Sequence, residues 1–202
     1  DWSSDVCSSD LAHYHRGSLL LLEGDFHKGF VDFEYRWGVK DRTFDRPRFA
    51  APQWRGDSDL RGKTIFIHAE QGFGDTFQFS RYVPLLAERG ARVVFEVQPK
   101  TARLMSSLQG ADIFLRAGEK VAVRFDLHCP LLSLPIAFNT TRDTIPRHVP
   151  YLFAPPEEIA AWETIFPRSL GRRIGLAWSG RSQPNPHRTC PPEHLEIGRA
   201  HV

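Results

Sequence analysis

Short apolar runs alternate with longer mixed stretches along residues 61–155. The apolar runs are rich in β-branched and aromatic residues and have the length of buried parallel strands. The predicted strands cover residues 64–69, 92–97, 111–115 and 125–127, and the predicted helices cover residues 76–88, 99–108 and 131–138. Strands separated by helices predict an α/β fold with a doubly wound parallel sheet and right-handed crossovers.

Residues 12–40 carry a different pattern, which predicts a pair of helices ahead of the sheet. Gly24 and Asp25 separate the two helices, because Gly permits a left-handed exit and Asp caps the helix that follows. Apolar or small residues then share one face of the second helix at three- and four-residue spacing: Phe26, Gly29, Phe30, Phe33 and Trp37. Gly29 is small, which suits a close crossing of the two helices.

The phrase GDFHKGFVDFEY over residues 24–35 resembles the centre of a tetratricopeptide repeat, with Gly29 where Ala is usual. A single repeat of this kind cannot bury its apolar face, and about three are needed for stability. The resemblance therefore implies the last repeat of an array, which could bind protein partners. An ordinary amphipathic hairpin without repeat ancestry is the alternative.

Two turn-rich segments predict the domain boundaries. Residues 41–60 are predicted to be a linker, and their Asp57-Ser58-Asp59 has the form that some sugar transferases use to hold a metal. The turn chemistry of Asp and Ser favours a solvated turn there. A proline-rich stretch near residue 155 precedes a predicted helix over 157–166 and a strand over 173–178. Residues 156–195 are thus expected to be a linker helix and the start of a truncated second α/β domain.

Both ends of the chain are predicted to be foreign to the protein. Residues 5–11 and residues 197–202 can be encoded by the two strands of one short DNA, which resembles a sequencing-library adapter. Residues 1–11 and 196–202 are therefore left out of fold reasoning. The natural protein is expected to continue beyond both ends, and a fragment of this kind is expected to be inactive.

Composition limits the function classes. Without the two end segments the chain has 25 basic and 20 acidic residues and no Lys/Arg block, so no nucleic-acid partner is predicted. Outside those segments only Cys129 and Cys190 remain, without metal-ligand spacing, which fits a reducing cytoplasm. The histidines show no metal-binding spacing either, so no metal is expected. No apolar run is long enough to span a membrane.

The strongest candidate chemistry lies between His68 and Asp75, after the first strand. Ligands of doubly wound sheets bind at the carboxyl ends of strands, where loops meet helix N-termini. Gly72 and Gly74 permit positive φ and a close approach of a ligand to the backbone. Asp75 stands where the next helix begins, and two interpretations are equally supported: a helix cap or a general base.

Dinucleotide binding is a rival interpretation of the same loop. Gly72-x-Gly74 opens a helix, and Glu96 follows about twenty residues later, at the distance expected for ribose recognition. Phe77 stands at the third glycine position, however. Asp75 would also place a carboxylate against a pyrophosphate that binds the positive end of a helix. An NAD(P)-binding Rossmann protein is therefore kept as an alternative only.

Three phrases resemble one family. They are IFIHAEQGFGDT at residues 65–76, FDLHCPLLSLP at 125–135 and IGLAWSG at 174–180. Together they look like the bacterial tetratricopeptide-repeat glycosyltransferases related to heptosyltransferases. The resemblance implies a GT-B fold, with a Rossmann-like acceptor-side domain over residues 61–155 and a donor-binding domain that begins in 156–195. It also implies sugar transfer from a nucleotide-activated donor, with no cofactor and no obligatory metal.

The resemblance also implies roles for individual residues. Asp75 matches the aspartate that acts as the base in related heptosyltransferases. The acceptor is expected to contact residues around that base: His68, Glu70, Gln71, Gly72, Gly74 and Arg81. Donor phosphates are expected to contact the first loop of the second domain: Ser179, Gly180, Arg188 and Thr189. Residues 181–192 contain four prolines and depart from the Asn/Asp- and Arg-rich sequence that is usual in the family.

Purely structural interpretations remain as alternatives to some of these roles. A hydrogen-bonded structural histidine is the alternative at His68, and loop solvation is the alternative at Glu70 and Gln71. A second function class also stays open: a non-catalytic tetratricopeptide module that binds partners and carries the α/β domain as an appendage.

Overall fold

The structure is a computed structural model that describes residues 2–39, 47–70, 72–166, 175, 177–180 and 189–190. The chain divides into two compact units, residues 1–155 and 156–202, and each is described by itself. The division falls where the sequence analysis also places a domain boundary.

Four parallel strands form the sheet of the first unit, in the order β3-β2-β1-β4. The strands are β1 (Thr64–His68), β2 (Arg92–Val97), β3 (Ile113–Arg116) and β4 (Leu127–Pro130). Residues 65–67 of β1 are fully buried, as expected for a central strand that is covered on both faces. The predicted parallel α/β sheet is confirmed.

The helices of this unit are α1 (Trp2–Glu23), α2 (Phe26–Phe33), α3 (Phe73–Phe79), α4 (Val83–Glu88), α5 (Ala102–Met105) and α6 (Leu134–Ala137). Those that follow the strands, α3 to α6, are shorter than the sequence predicts. The single helix predicted over 76–88 is wrong, because a 3₁₀ turn at Ser80–Tyr82 separates α3 from α4. Pro84, in the first turn of α4, has no amide hydrogen for the carbonyl of Ser80 and so interrupts the helix.

Two further elements differ from their predicted bounds. The helix predicted over 99–108 is only α5, since the hydroxyls of Ser106 and Ser107 bond back to the carbonyls of Arg103 and Leu104 and compete with the helix. The strand predicted over 125–127 lies further along the chain, because β4 begins at Leu127 and pairs residues 127–130 with β1. His128 therefore lies inside a strand and not after one.

The predicted helical hairpin is present as α1 and α2, followed by a 3₁₀ turn at Glu34–Trp37. Asp25 caps α2 by accepting the amide of Lys28 at 3.2 Å, as predicted. A Cβ on Gly29 would lie 2.8 Å from Leu21 Cδ2, and one on Gly17 would lie 2.7 Å from the backbone nitrogen of Phe33. The two glycines permit the close crossing. The α1 helix begins at Trp2 and so runs through the segment predicted to be foreign.

The described part of the predicted linker belongs to the α/β core. Trp54 is 1% exposed and packs in the same apolar cluster as the strands. Its amide donates to the carbonyl of His128 at 2.8 Å, while the amide of His128 donates to the carbonyl of Pro52 at 3.1 Å. Residues 52–54 therefore run beside β4 and add an isolated bridge to that edge of the sheet.

The second unit contains α7 (Pro156–Ile165), close to the predicted helix over 157–166. The predicted strand over 173–178 lies largely outside the described residues, and residues 175, 177 and 178 are in no regular element. The amide of Cys190 donates to the carbonyl of Trp178 at 2.9 Å. Within the described parts of both units, no helix is long and apolar enough to cross a membrane.

Candidate functional site

The candidate site lies at the carboxyl end of β1, where the order of the strands reverses. From β1 the chain proceeds to β2 and β3 on one side, and then crosses to β4 on the other side. Doubly wound sheets bind ligands in the crevice at this position. The loop after β1 leads into α3, and the loop after β4 forms a 3₁₀ turn at Leu131–Ser133.

Asp75 occupies the first turn of α3. Its Oδ2 atom accepts the amide of Gly72 at 2.9 Å, and Gly72 is the residue that precedes the helix. This hydrogen bond is the capping role that the sequence analysis weighs against the role of a base. The cap engages one carboxylate oxygen and leaves Oδ1 outside that bond, and the residue is half-buried. Capping and proton transfer are therefore compatible in this geometry.

The two glycines of the loop do not use the conformational freedom that was expected of them. Gly72 has φ −75°, and Gly74 lies within α3 without a positive φ. A Cβ on Gly74 would meet no heavy atom within 4 Å, and one on Gly72 would meet only Asp75 Oδ2 at 3.3 Å. Neither backbone strain nor internal packing explains these two glycines. The expectation of a positive φ is wrong, while the expected approach of a ligand remains a prediction.

A hydrogen bond links the first turn of α3 to the next strand. The hydroxyl of Thr76, which is 1% exposed, donates to Gln98 Oε1 at 2.9 Å. Gln98 follows β2 directly, so this bond fixes α3 across the ends of β1 and β2. Sequence reasoning assigned no role to either residue, because a pair separated by 22 positions leaves no local pattern.

Arg36 brings the helical hairpin to the same edge of the sheet. Its buried guanidinium donates to both carboxylate oxygens of Glu70, at 2.9 Å and 3.1 Å. The same guanidinium donates to Glu34 Oε1 at 2.6 Å and to the hydroxyl of Ser133 at 2.8 Å. The amide of Leu132 adds a third hydrogen bond to Glu70, at 2.9 Å. Glu70 thus serves as the centre of an internal ion-pair network.

The charges of this network depend on one another. Burial raises the pKa of Glu70, and the guanidinium of Arg36 and the amide of Leu132 oppose that rise. Burial works to lower the pKa of Arg36, but Glu70 and Glu34 more than offset it, so that the pKa lies above its ordinary value. The bidentate contact and the third donor favour the ionised pair. Removal of either partner would leave a buried charge without compensation.

His68 is a buried neutral histidine at the end of β1. It is 2% exposed, and its Nε2 lies 3.3 Å from His128 Nδ1. Burial, together with the charges of His128 and Arg36, lowers the pKa of His68 to about 3. The rings of Phe49 and Phe66 pack against it. The contact with His128 fits the hydrogen-bonded alternative for His68 through Nε2 alone, because Nδ1 has no hydrogen-bond partner within the described part of the chain.

Arg81 lies away from this site within the first unit, and the predicted donor-phosphate residues are described within the second unit alone. Gln71 and Arg188 lie outside the described residues. Arg81 lies between α3 and α4, with its guanidinium carbon 4.7 Å from the centre of the Tyr151 ring, and it lines a separate cavity. In the second unit, the hydroxyls of Ser179 and Thr189 are 3.5 Å apart, and Gly180 is exposed beside them. Among the described residues, no group of three or more His, Cys, Asp or Glu is arranged to hold a metal ion.

Comparisons with known proteins give a distant relative. The chain is 28% identical over 193 residues to Protein FlbA of Caulobacter vibrioides, covering 84% of this chain and 32% of that protein. It thus spans about a third of the length of the relative that it matches. No protein-family model matches the chain, and no solved structure is similar to it.

Proposed function

We propose that the protein transfers a sugar from a nucleotide-activated donor to an acceptor hydroxyl, with Asp75 as the general base. The observation that supports it most directly is the position of Asp75 at the carboxyl end of β1, beside the reversal of the strand order. The resemblance of the GFGDT loop to the tetratricopeptide-repeat glycosyltransferases supplies the chemistry. The name of the relative states no activity, so it neither favours nor opposes the proposal.

The loop suits this role in two respects. The amide of Gly72 holds Oδ2 of Asp75, so that Oδ1 can accept the proton of an acceptor hydroxyl. The open space at Gly74 leaves the backbone accessible to a sugar ring, which a side chain would displace. As the proton moves to Oδ1, the acceptor oxygen forms its bond to the anomeric carbon, and the nucleotide leaves with the electrons of the broken bond.

The donor in this proposal is held by the second domain. Ser179, Gly180, Arg188 and Thr189 are the residues that we assign to the donor phosphates, on the basis of the family resemblance. The close hydroxyls of Ser179 and Thr189 would offer two hydrogen-bond donors to one phosphate oxygen. The GT-B architecture and the origin of the hairpin as the last tetratricopeptide repeat belong to the same proposal.

The test compares two replacements of Asp75 in a longer form of the protein that carries the second domain. Asp75→Asn retains an oxygen for the amide of Gly72 but cannot accept a proton. We expect it to lower donor-dependent sugar transfer about 10²–10⁴-fold, the usual contribution of a general base. Its thermal midpoint should stay near that of the wild type, whereas Asp75→Ala loses both the cap and the base.

Asp143→Asn is the matched control, because that carboxylate is 94% exposed and distant in sequence from the loop. It should leave the transfer rate unchanged. Full activity in Asp75→Asn would show that the base is misassigned. Failure of the wild type to bind or hydrolyse any nucleotide sugar would instead favour a non-catalytic module that binds protein partners.

A further inference from the structure

We propose that a second cavity, independent of the glycosyl-transfer proposal, binds a small phosphate monoester through Arg81 and Arg147. The cavity has a volume of about 400 Å³ and lies between α4, the turn before β3 and residues 146–153. This volume is in the range of small-molecule sites and exceeds what a bare phosphate ion fills. No residue from 68 to 75 lines it, so it is separate from the candidate site at the end of β1.

Arg81 is held in place, but its Nε atom has no acceptor among the described residues. Its guanidinium stacks over Tyr151, and the hydroxyl of Tyr151 donates to the carbonyl of Phe77 at 2.9 Å, which fixes the ring. The Nε atom of Arg81 is buried and has no hydrogen-bond partner among the described residues. Buried guanidinium nitrogens are normally satisfied, and an unsatisfied one is costly. An anionic oxygen in the cavity would supply the missing acceptor.

The other polar groups of the cavity favour a phosphate over a carboxylate. Arg147 also lines the cavity; its Nη2 donates to the carbonyl of Asp143 at 2.8 Å and lies 4.0 Å from the carboxylate of that residue, which leaves its other nitrogens outside these contacts. His148 lies beside it, and Glu88 is the only acidic residue among those that line the cavity. Two arginine forks suit a tetrahedral dianion with several acceptor oxygens.

The rest of the wall is apolar and would contact the carbon part of the ligand. Pro84, Leu85, Leu108 and Pro150 contribute this surface. A cavity that combines two cationic groups with an apolar wall selects an organic phosphate, because inorganic phosphate would leave the apolar wall without contacts. The inferred ligand is therefore a phosphate monoester of sugar size.

Calorimetric titration of the 202-residue chain tests this inference, with glucose 6-phosphate, inorganic phosphate and glucose as probes. We expect saturable binding of glucose 6-phosphate, weaker binding of inorganic phosphate and none of glucose. Arg81→Gln and Arg147→Gln should each weaken binding of the ester about tenfold, through loss of charge-assisted hydrogen bonds. Arg142→Gln removes the same charge from an exposed residue outside the cavity and should change the affinity less than twofold.

Arg147→Gln keeps the test valid if Arg81→Gln perturbs folding, because the side chain of Arg147 is 69% exposed. The inference is overturned if glucose 6-phosphate shows no saturable binding. It is also overturned if Arg142→Gln weakens binding as much as Arg147→Gln, which would indicate unspecific attraction to a basic surface. Equal affinities for inorganic phosphate and the ester would refute the assignment of an organic phosphate.

Discussion

Two carboxylates stand five residues apart at the same edge of the sheet, and the protein uses them differently. The side chain of Glu70 is 1% exposed and accepts three hydrogen bonds, two of them from Arg36. Asp75 is half-buried, and its Oδ2 accepts a backbone hydrogen bond from Gly72. Glu70 therefore joins the helical hairpin to the sheet, whereas Oδ1 of Asp75 is outside the capping bond and can contact a substrate. Sequence proximity alone would have grouped them as one acidic site.

Loss of the Arg36–Glu70 pair should have the largest effect on stability. Arg36→Met leaves the buried carboxylate of Glu70 with only the amide of Leu132, and we expect a loss of about 3–5 kcal/mol in the free energy of unfolding. The double replacement Arg36→Met/Glu70→Leu should recover much of that loss, because it removes both fully buried charges and leaves only the partly exposed carboxylate of Glu34. Urea denaturation of the three proteins measures both effects.

The exposed pair of Arg61 and Asp59 provides the control for that experiment. Arg61→Met should leave the unfolding midpoint nearly unchanged, since an exposed ion pair is screened by water. Equal losses in Arg36→Met and Arg61→Met would contradict the distinction between buried and exposed pairs. The same result would contradict the structural role that is assigned to Glu70.

His68 should make the stability of the same edge depend on pH. Its pKa is about 3 in the folded protein and near 6.5 when unfolded, so the unfolded chain alone binds the proton between those values. Stability is therefore fully present above about pH 6.5 and falls as the pH is lowered toward 3. Between pH 7 and pH 4.5 the protonation of His68 in the unfolded chain should lower the free energy of unfolding by about 2–3 kcal/mol.

Denaturation curves at several pH values for wild type, His68→Phe and His148→Gln would measure this dependence. His68→Phe should flatten the pH profile, because the ring stays among Phe49 and Phe66 but cannot be protonated. His148 is exposed, and its replacement should leave the profile as in the wild type. Identical profiles for wild type and His68→Phe would show that another group governs the acid response.

The smallest expected effect on stability concerns the glycines. Gly74→Ala should stabilise the fold by about 0.5–1 kcal/mol, because the added methyl group meets open space within a helix. Gly29→Ala should instead destabilise it by about 1–3 kcal/mol, since its methyl group would overlap Leu21. If Gly74→Ala is more stable and yet less active in sugar transfer, the glycine serves a ligand. Unchanged activity would remove that support for the site.

Local patterns predicted the parts of the fold that local forces determine. The apolar runs of β1 and β2 predicted two strands with bounds within one residue of those observed, and Gly24-Asp25 predicted the break between the first two helices. The interruption at Pro84 was missed, although proline carries a clear local signal for it. The Asp75 cap was foreseen as one of two roles, since its position at a helix start is visible in the sequence.

Contacts between distant residues could not be predicted in the same way. Arg36 and Glu70 are 34 positions apart, and neither stands in a motif that indicates its partner. Trp54 lies in a turn-rich stretch without periodicity, so nothing marked it as part of the core. The cavity at Arg81 is formed by three segments that meet only in the folded chain. Such features require the tertiary structure, because their residues share no local spacing.

The network around Arg36 also determines where this polypeptide can be divided. A cut within residues 41–60 would separate Arg36 from Glu70 and Ser133, so the α/β part would keep the Glu70 carboxylate without its counterion. The hairpin is thus a component of the sheet's own architecture and not a detachable accessory. Gene fusions and excisions should therefore keep both helices of the hairpin on the same polypeptide as the sheet.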